Sequence, residues 1–316
     1  MLRTPLCALL GIEAPLVAAP FGPWPQVELA AAVCEAGGLG SLGTAARPLP
    51  ALRGQWARLR ELTERPFAIN HTMRPFDEAA FAATLEAQPR AISFHMTVPA
   101  DLIARAHDDG ILWIQQVVDR REAEEAVARG ADVIVAQGGE AGGHSGEVGT
   151  MVLVPQVVDL AGEVPVVAAG GIADGRGLAA ALALGAQGVA MGTRFLAAAE
   201  LGIADAWKQR ILEADATDAV KVVNHDRALP PFSRPGARVT PRALSTPLVE
   251  QLRRHPEWID PGSIGPRLRE SLLAGRGDEY LPFAGQSAGL IDEVLPAAEI
   301  VRRVVAEAEA ALERVP

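Results

Sequence analysis

The chain has 316 residues, of which 49% are hydrophobic and 4% aromatic, and its formal net charge is −10. This length is enough for one large barrel or two ordinary domains, with a core that needs no disulfide or metal to hold it. The acidic balance argues against sequence-independent binding of nucleic acid, which requires a basic surface, but it does not oppose a small anionic ligand.

Cysteine spacing and the N-terminal sequence indicate where the protein works. Cys7 and Cys34 form neither a disulfide framework nor a metal-ligand spacing, and the chain has no H-E-x-x-H or C-x-x-C motif. Prolines, a glycine and a glutamate interrupt the apolar N-terminus, so we interpret it as the approach to a first strand, not as a signal peptide. We expect a reduced, cytoplasmic protein without a metal site or a membrane span.

Short apolar runs alternate with segments of helical periodicity from residue 16 to about residue 200. Strands are predicted at Leu16–Phe21, Gly40–Gly43, Pro66–Asn70, Ala91–His95, Leu112–Val117, Asp132–Gln137, Val164–Ala169 and Gly188–Met191. Helices are predicted at 25–36, 48–62, 77–87, 99–108, 119–129, 155–160 and 174–184. This alternation indicates parallel strands joined by helices. Eight such units favour an α/β fold of the closed (β/α)8 TIM barrel type over an open sheet.

The alternation of predicted strands and helices ends after the predicted barrel at residues 1–200. Residues 201–285 contain nine prolines among short helical pieces, so we predict a small, mostly helical insertion or cap beside the barrel mouth. An ordered surface excursion without a function is the alternative. Residues 286–316 are predicted to form a loop and a C-terminal helix, since apolar residues recur there at helical spacing. We expect this helix to pack back on the barrel.

Glycine-rich turns follow three of the predicted strands, at residues 133–146, 168–177 and 190–195. Parallel barrel strands end on one face, so these turns should meet there, and their backbone N–H groups can approach a phosphate closely. In barrels the loops after strands seven and eight commonly form a phosphate site. Here that candidate cradle consists of Gly170, Gly171, Gly192 and Thr193. Asp174 could cap the next helix, whose positive end would then face the anion.

One histidine, His144, stands among the glycines of the first turn. Its flanks supply no packing, so it either lines a site or is a solvated loop residue. An imidazole beside an anion site suits acid–base chemistry near neutral pH. His71 and His95 also lie at predicted strand ends and could line the same mouth. The remaining histidines are expected on the surface or the cap: His107, His225 and His255.

Two short motifs suggest other chemistries but lack the required context. The sequence GLGSLG at 38–43 matches a dinucleotide fingerprint, yet it follows a predicted helix and leads into a strand. The sequence GQSAG at 285–289 matches a hydrolase elbow, yet no histidine follows it in the chain. We therefore predict a tight helix-to-strand turn for the first and a loop before the C-terminal helix for the second.

Four sequence blocks resemble the nitronate monooxygenases, formerly called 2-nitropropane dioxygenases, and their relatives, the flavin-dependent enoyl-acyl-carrier-protein reductases. The blocks are VELAAAVCEAGGLGSLG (27–43), AISFH (91–95), ADVIVAQGGEAGGHSG (131–146) and VPVVAAGGIADGRGLAAALALGAQGVAMGTRFLAAAE (164–200). A weaker fifth block is AGQSAGLI (284–291). The resemblance implies an FMN-dependent TIM barrel in which His144 is the catalytic histidine. It also implies that Asn70 hydrogen-bonds the isoalloxazine ring. The full set of implied FMN contacts is Ala18, Ala19, Pro20, Phe21, Asn70, Gln116, Gln137, Gly142, Gly143, Gly170, Gly171, Ala190, Met191, Gly192 and Thr193.

The resemblance implies oxidation of alkyl nitronates with O2 to carbonyl compounds and nitrite. An NAD(P)H-dependent flavin reductase acting on a quinone or an enoyl thioester is the first alternative, and a non-catalytic phosphate-ligand binder is the second. The sequence FGPW at 21–24, the NHTMRPF loop at 70–76 and the single tyrosine depart from the family pattern and leave the substrate open. The expected partners are a small-molecule substrate and O2, and a homodimer through exposed barrel faces is compatible with the sequence.

Overall fold

The computed structural model describes residues 2–24, 26–72, 76–228 and 239–314. Part of the NHTMRPF loop therefore lies outside the described residues, as do Pro230, Pro231 and Pro235 of the segment after the predicted barrel. None of the helices in the described ranges combines the length and the hydropathy that a bilayer span requires.

The described residues contain eleven strands. They are β1 (Leu16–Ala18), β2 (Gly40–Gly43), β3 (Phe67–Thr72), β4 (Ala91–His95), β5 (Leu112–Val117), β6 (Val133–Gln137), β7 (Gly143–Ser145), β8 (Val166–Ala169), β9 (Gly188–Met191), β10 (Ala219–Lys221) and β11 (Thr240–Leu244). Eight of them pair in parallel in the order β1-β9-β8-β6-β5-β4-β3-β2. A parallel bridge between Val17 and Leu39, just before β2, joins the two ends of this order. The sheet is thus the predicted (β/α)8 barrel.

The described residues also contain thirteen α-helices. They are α1 (Pro5–Leu10), α2 (Val27–Glu35), α3 (Leu49–Leu62), α4 (Glu78–Ala87), α5 (Ala100–Asp108), α6 (Arg120–Ala128), α7 (Thr150–Ala161), α8 (Gly175–Ala183), α9 (Thr193–Leu196), α10 (Asp205–Glu213), α11 (Pro247–Arg254), α12 (Pro261–Leu273) and α13 (Ala297–Leu312). Of these, α2 to α8 follow barrel strands or the turn at β7 and cover the barrel on the outside. Side chains of Asp77, Asp119 and Asp174 cap α4, α6 and α8 by accepting backbone N–H groups of the first turn. The C-terminal helix α13 packs against α8 and α2.

The barrel lumen is filled by small and branched side chains that alternate with outward-facing residues along each strand. Its buried cluster comprises Val17, Leu39, Ala68, Ala91, Ile114, Val133, Val135, Val167, Ala169 and Ala190, together with Leu6, Cys7, Leu10 and Ile12 from α1 and the residues after it. The N-terminal helix α1 therefore closes the bottom of the barrel. Only the carboxyl ends of the strands are left as an entrance, which is where barrel enzymes place their sites.

The segment after the barrel contains strands that the sequence analysis does not predict. β11 pairs antiparallel with both β10 and β7, so the turn that carries His144 is one edge of a three-stranded sheet. These strands have three to five residues each and are extended because they pair with one another. The prediction of a mostly helical segment is thus right about its helices, but it did not include the two strands β10 and β11.

Two further boundaries differ from the sequence analysis for local reasons. α7 begins at Thr150, five residues before the predicted start, and Pro155 lies inside the helix. A proline there removes one hydrogen bond to the carbonyl four residues earlier. That carbonyl belongs to Met151, which is exposed and can be solvated. β1 ends at Ala18, since Pro20 cannot donate to a neighbouring strand.

Candidate active site

The carboxyl ends of the strands direct a set of polar side chains into the barrel mouth. In β3, Ala68 belongs to the lumen cluster, so Asn70, two residues further, faces the same side. The same alternation from lumen residues on β4, β5 and β6 turns His95, Gln116 and Gln137 inward. Three amides and one imidazole therefore lie above the apolar plug of the barrel.

Hydrogen bonds between neighbouring strands orient these amides. The Nδ2 of Asn70 donates to the carbonyl and the hydroxyl of Ser93, at 3.1 and 3.0 Å. The Nε2 of Gln116 donates to Oε1 of Gln137 at 3.0 Å. Each amide keeps further donor or acceptor capacity after these bonds. The mouth is therefore suited to a planar ligand with both donors and acceptors on its edge.

His71 does not line this mouth, although its position at a strand end allowed this. Its side chain is 2% exposed and lies between β3 and α4, where Nε2 is 2.8 Å from the hydroxyl of Thr84. Its ring packs edge-on against Phe81, with centroids 5.3 Å apart. His71 directly follows Asn70 in β3, and successive side chains of a strand point to opposite faces of the sheet.

At some positions the glycine turns contact neighbouring backbone so closely that they leave no space for a side chain. Gly170 has a φ of +98°, and a Cβ there would lie 2.9 Å from the carbonyl oxygen of Gly138. A Cβ on Gly142 would lie 2.6 Å from both the carbonyl carbon of Ala284 and the nitrogen of Gly285. The turns after β6 and β8 and the loop at 284–285 thus form one continuous backbone surface.

Thr193 connects the turn after β9 to the same surface. Its buried hydroxyl accepts a hydrogen bond from the N–H of Gly285 at 2.9 Å, so its own proton is available to another acceptor. A cradle built from glycine backbone and one hydroxyl fits a phosphate group. The two motif loops singled out in the sequence, at 190–195 and 285–289, therefore meet at this cradle.

The cap of α8 forms as predicted, but it changes which groups can face an anion. Asp174 Oδ1 accepts from the N–H of Arg176 at 3.0 Å and of Gly177 at 3.3 Å. The N–H of Gly175 donates to a carboxylate oxygen of Glu307 at 2.9 Å. Because carboxylates already occupy these three N–H groups, the candidate cradle consists of the two turns themselves and not of the start of α8.

The residues around β1 and β9 contribute mainly backbone to the mouth. The side chains of Ala18 and Met191 are 2% and 1% exposed and lie in the outer core between strands and helices. Ala190 faces the lumen, and a Cβ on Gly192 would lie 3.6 Å from that of Ala19. Pro20 and Phe21, which follow β1, are half-buried beside this contact.

His144 lies on β7, opposite Pro241 of β11. Its ring centroid is 6.4 Å from that of His225 and 6.5 Å from that of Phe283. Burial lowers the pKa of His144 to about 3, and the neighbouring His95, His225 and Lys221 act in the same direction. The imidazole is therefore neutral at neutral pH. An anionic ligand beside it would raise this pKa toward the working range of an acid–base catalyst.

Three neighbours of His144 were not found by sequence analysis as parts of a site: Lys221, His225 and Phe283. All three belong to the segment after the barrel, and no motif marks them. His225 was expected on the surface or the cap, and it is buried at the edge of this cluster. His107 and His255 are exposed and pair with Asp132 and Glu257. Within the described residues no group of three or more His, Cys, Asp or Glu side chains could hold a metal.

Comparison with known proteins decides the family. The model of the nitronate monooxygenase family matches residues 3–307. The chain belongs to the nitronate monooxygenase family. A nitronate monooxygenase of Paraburkholderia phytofirmans is 32% identical over 360 residues, covering 98% of this chain and 96% of the relative. FabK from Thermotoga maritima superimposes with a TM-score of 0.89 and 34% identity, covering 100% of this chain and 99% of that one.

A third relative shows that membership does not by itself define the substrate. A (3aS,4S,5R,7aS)-5-hydroxy-7a-methyl-1-oxo-octahydro-1H-indene-4-carboxyl-CoA dehydrogenase of Mycobacterium tuberculosis is 39% identical over 254 residues, covering 79% of this chain and 68% of the relative. Membership in the nitronate monooxygenase family makes this protein an oxidoreductase of the flavin-dependent type. The alternative of a non-catalytic binder on a retained barrel is thereby set aside.

Proposed function

We propose that this protein uses FMN to oxidise alkyl nitronates with O2 to carbonyl compounds and nitrite. The observation that carries the proposal is the placement of a half-buried, neutral imidazole, His144, at the mouth of a barrel whose strand ends also carry oriented amides and a glycine cradle. The nitronate monooxygenase from Paraburkholderia phytofirmans, similar over nearly its whole length, supports the choice of substrate.

The residues of the mouth fit FMN in two parts. The turns at Gly170–Gly171 and Gly192–Thr193 would hold the phosphate, since a cradle without side chains lets backbone N–H groups approach it. Asn70, Gln116 and Gln137 would hydrogen-bond the edge of the isoalloxazine ring. Ala18 to Phe21, Gly142 and Gly143 would border the ring mainly through backbone atoms. When bound, FMN would supply the redox chemistry between the nitronate and O2, which these side chains cannot provide themselves.

His144 would act on the substrate through its ring nitrogen. A neutral imidazole can donate a hydrogen bond to a nitronate oxygen and so hold the anion in place. It can also accept the α-proton of a neutral nitro compound, and the imidazolium that forms would be stabilised by the nitronate anion beside it. Both interactions would be stronger where the bound flavin and substrate displace water from the mouth.

Replacing His144 by asparagine tests this role. We expect His144→Asn to retain FMN, because the cradle and the amides are unchanged, and to lose turnover of propyl-2-nitronate by a factor of about 100 or more. Steady-state kinetics and the flavin absorbance of the purified variant measure the two effects. His107→Asn, at an exposed histidine far from the mouth, is the matched control and should keep full activity. Full activity in His144→Asn would remove this residue from the mechanism.

The dehydrogenase relative, whose name specifies a carboxyl-CoA substrate, favours a second candidate function. In that case a pyridine nucleotide would reduce the flavin, and a quinone or an enoyl thioester would accept the electrons. Anaerobic stopped-flow absorbance with NADH, NADPH and propyl-2-nitronate in separate mixes distinguishes the two. Flavin reduction by nitronate alone supports the monooxygenase, and reduction by a pyridine nucleotide alone supports the reductase.

A further inference from the structure

The side chain of Lys221, at the end of β10, reaches the turn that carries His144. Its Nζ donates to the carbonyl and the hydroxyl of Ser145, both at 2.8 Å, and to the carbonyl of Gly146 at 2.7 Å. An ammonium group has three protons to donate. The three short bonds thus all go to the two residues that directly follow His144. The hydroxyl of Ser145 in turn donates to the carbonyl of Ala141 at 3.0 Å.

A second cation, Arg242, donates hydrogen bonds to the other half of the same turn. Arg242 stands directly opposite Lys221 in the ladder between β10 and β11. Its guanidinium donates to the carbonyl of Gly139 through two nitrogens, at 3.2 and 2.8 Å. Residues 139–146 are therefore held at both ends by side chains of the segment after the barrel. That segment therefore contacts the candidate site directly.

Two features of this arrangement cost stability. Like charges directly opposite each other in a ladder are unfavourable. Burial lowers the pKa of Lys221 to about 8, with Arg242 acting in the same direction and Glu147 and Glu140 against it. Sites that break a local rule in an otherwise consistent fold are commonly the functional ones. Lys221 is also one of only two lysines among the 29 Lys and Arg residues of the chain.

We propose that Lys221 is a positioning residue for His144. By holding the carbonyls of Ser145 and Gly146, its ammonium group sets where β7 lies and hence where the imidazole stands in the mouth. Lys221 makes no contact with the candidate phosphate cradle among the described residues. The inference rests on the proposed function only in that it takes His144 as the catalytic group.

The test compares Lys221, which is half-buried, with Lys208 in the holoenzyme. Lys208 is 6% exposed and also donates to backbone carbonyls, those of Ala198 at 2.8 Å and Ala199 at 3.4 Å, but it does not contact the 139–146 turn. Lys221→Met and Lys208→Met each remove the hydrogen bonds from an ammonium group to backbone carbonyls. Amide hydrogen exchange of the peptide spanning 139–147, flavin content, and separate kcat and KM values are measured for both.

We expect Lys221→Met to keep its flavin, to exchange faster within 139–147 and to lose kcat by a factor of about 100 with a smaller change in KM. A misplacement of a catalytic group by about 1 Å can cost that much. Lys221→Arg should recover part of kcat, because it keeps donors at this position. Lys208→Met should melt earlier while keeping wild-type exchange in 139–147 and wild-type kcat.

Two results would overturn the proposal: wild-type exchange and kcat in Lys221→Met, or equal losses of kcat in the two methionine variants. If Lys221→Met does not fold, Lys221→Gln keeps a shorter, neutral donor and should raise the same local exchange. Unchanged exchange in that variant would count against a role of Lys221 in holding the turn. If the wild-type protein reacts with neither nitronate nor a pyridine nucleotide, the proposed function fails, whereas the exchange comparison still decides whether Lys221 holds the turn.

Discussion

Gly142→Ala is expected to yield protein that no longer retains flavin. The added Cβ would lie 2.6 Å from the carbonyl carbon of Ala284 and the nitrogen of Gly285, a distance that real Cβ atoms do not show. The loop cannot easily move away, because the N–H of Gly285 is bonded to the hydroxyl of Thr193 and the N–H of Gln286 to the carbonyl of Glu140. Relief of the overlap must therefore separate the turns that form the candidate cradle.

We expect this overpacking to cost about 1–3 kcal/mol of unfolding free energy in addition to the lost flavin. The ratio of flavin to protein absorbance and a urea titration of the apoprotein measure the two effects. Gly54→Ala is the control, since Gly54 lies on the exposed face of α3 with no atom within 4 Å of the added Cβ. It should raise stability by up to about 1 kcal/mol. A Gly142→Ala protein with full flavin content would contradict the close-contact interpretation.

Stability is expected to fall steeply as the pH is lowered from about 6.5 to 4, because several histidines are buried in the neutral form. Burial lowers the pKa of His71 and of His95 from 6.5 to about 4. The unfolded chain binds protons below its ordinary histidine pKa, whereas the folded protein does not until the pH nears the lowered value. Stability from these groups is thus complete above pH 6.5 and is lost as the pH falls through this window.

The size of the loss is on the order of 3 kcal/mol for each of the two histidines, since one pKa unit corresponds to about 1.4 kcal/mol. Urea titrations at pH 7.0, 5.5 and 4.5 should show it. His71→Gln cannot titrate and should lose less stability than wild type over the same window, whatever its stability at pH 7. The control His107→Gln, at an exposed site, should follow the wild-type curve. Parallel curves for His71→Gln and wild type would show that His71 is not held neutral by burial.

Much of the barrel follows from local sequence, and the reason lies in how its strands are buried. The bounds of β2, β4, β5 and β9 are those predicted, because strands covered on one face by helices and on the other by the lumen read as short, nearly continuous apolar runs. Glycines at the ends of β6 and β8 also predict where backbone surfaces come together. The C-terminal helix is predicted from its apolar spacing, and α13 occupies that range.

The same double burial hides which side chains face the lumen. His71 and His95 both lie at strand ends. His95 faces the lumen because it is four residues after Ala91, a lumen residue of the same strand, whereas His71 hydrogen-bonds to Thr84 outside the sheet. A run that is apolar on both faces carries no alternation from which to read this difference. Register between neighbouring strands decides it, and register is a property of the assembled sheet.

By itself, the sequence determined the barrel, its order of strands and helices, the glycine turns and the histidine among them. The tertiary structure decided what surrounds that histidine. β10 and β11 are too short and irregular to be predicted as strands. They are extended because β11 pairs with both β10 and β7, and β7 lies far earlier in the chain. Lys221 and Arg242 reach the His144 turn only through this pairing. Contacts so distant in sequence leave no local pattern, because only the closed barrel brings the segments together.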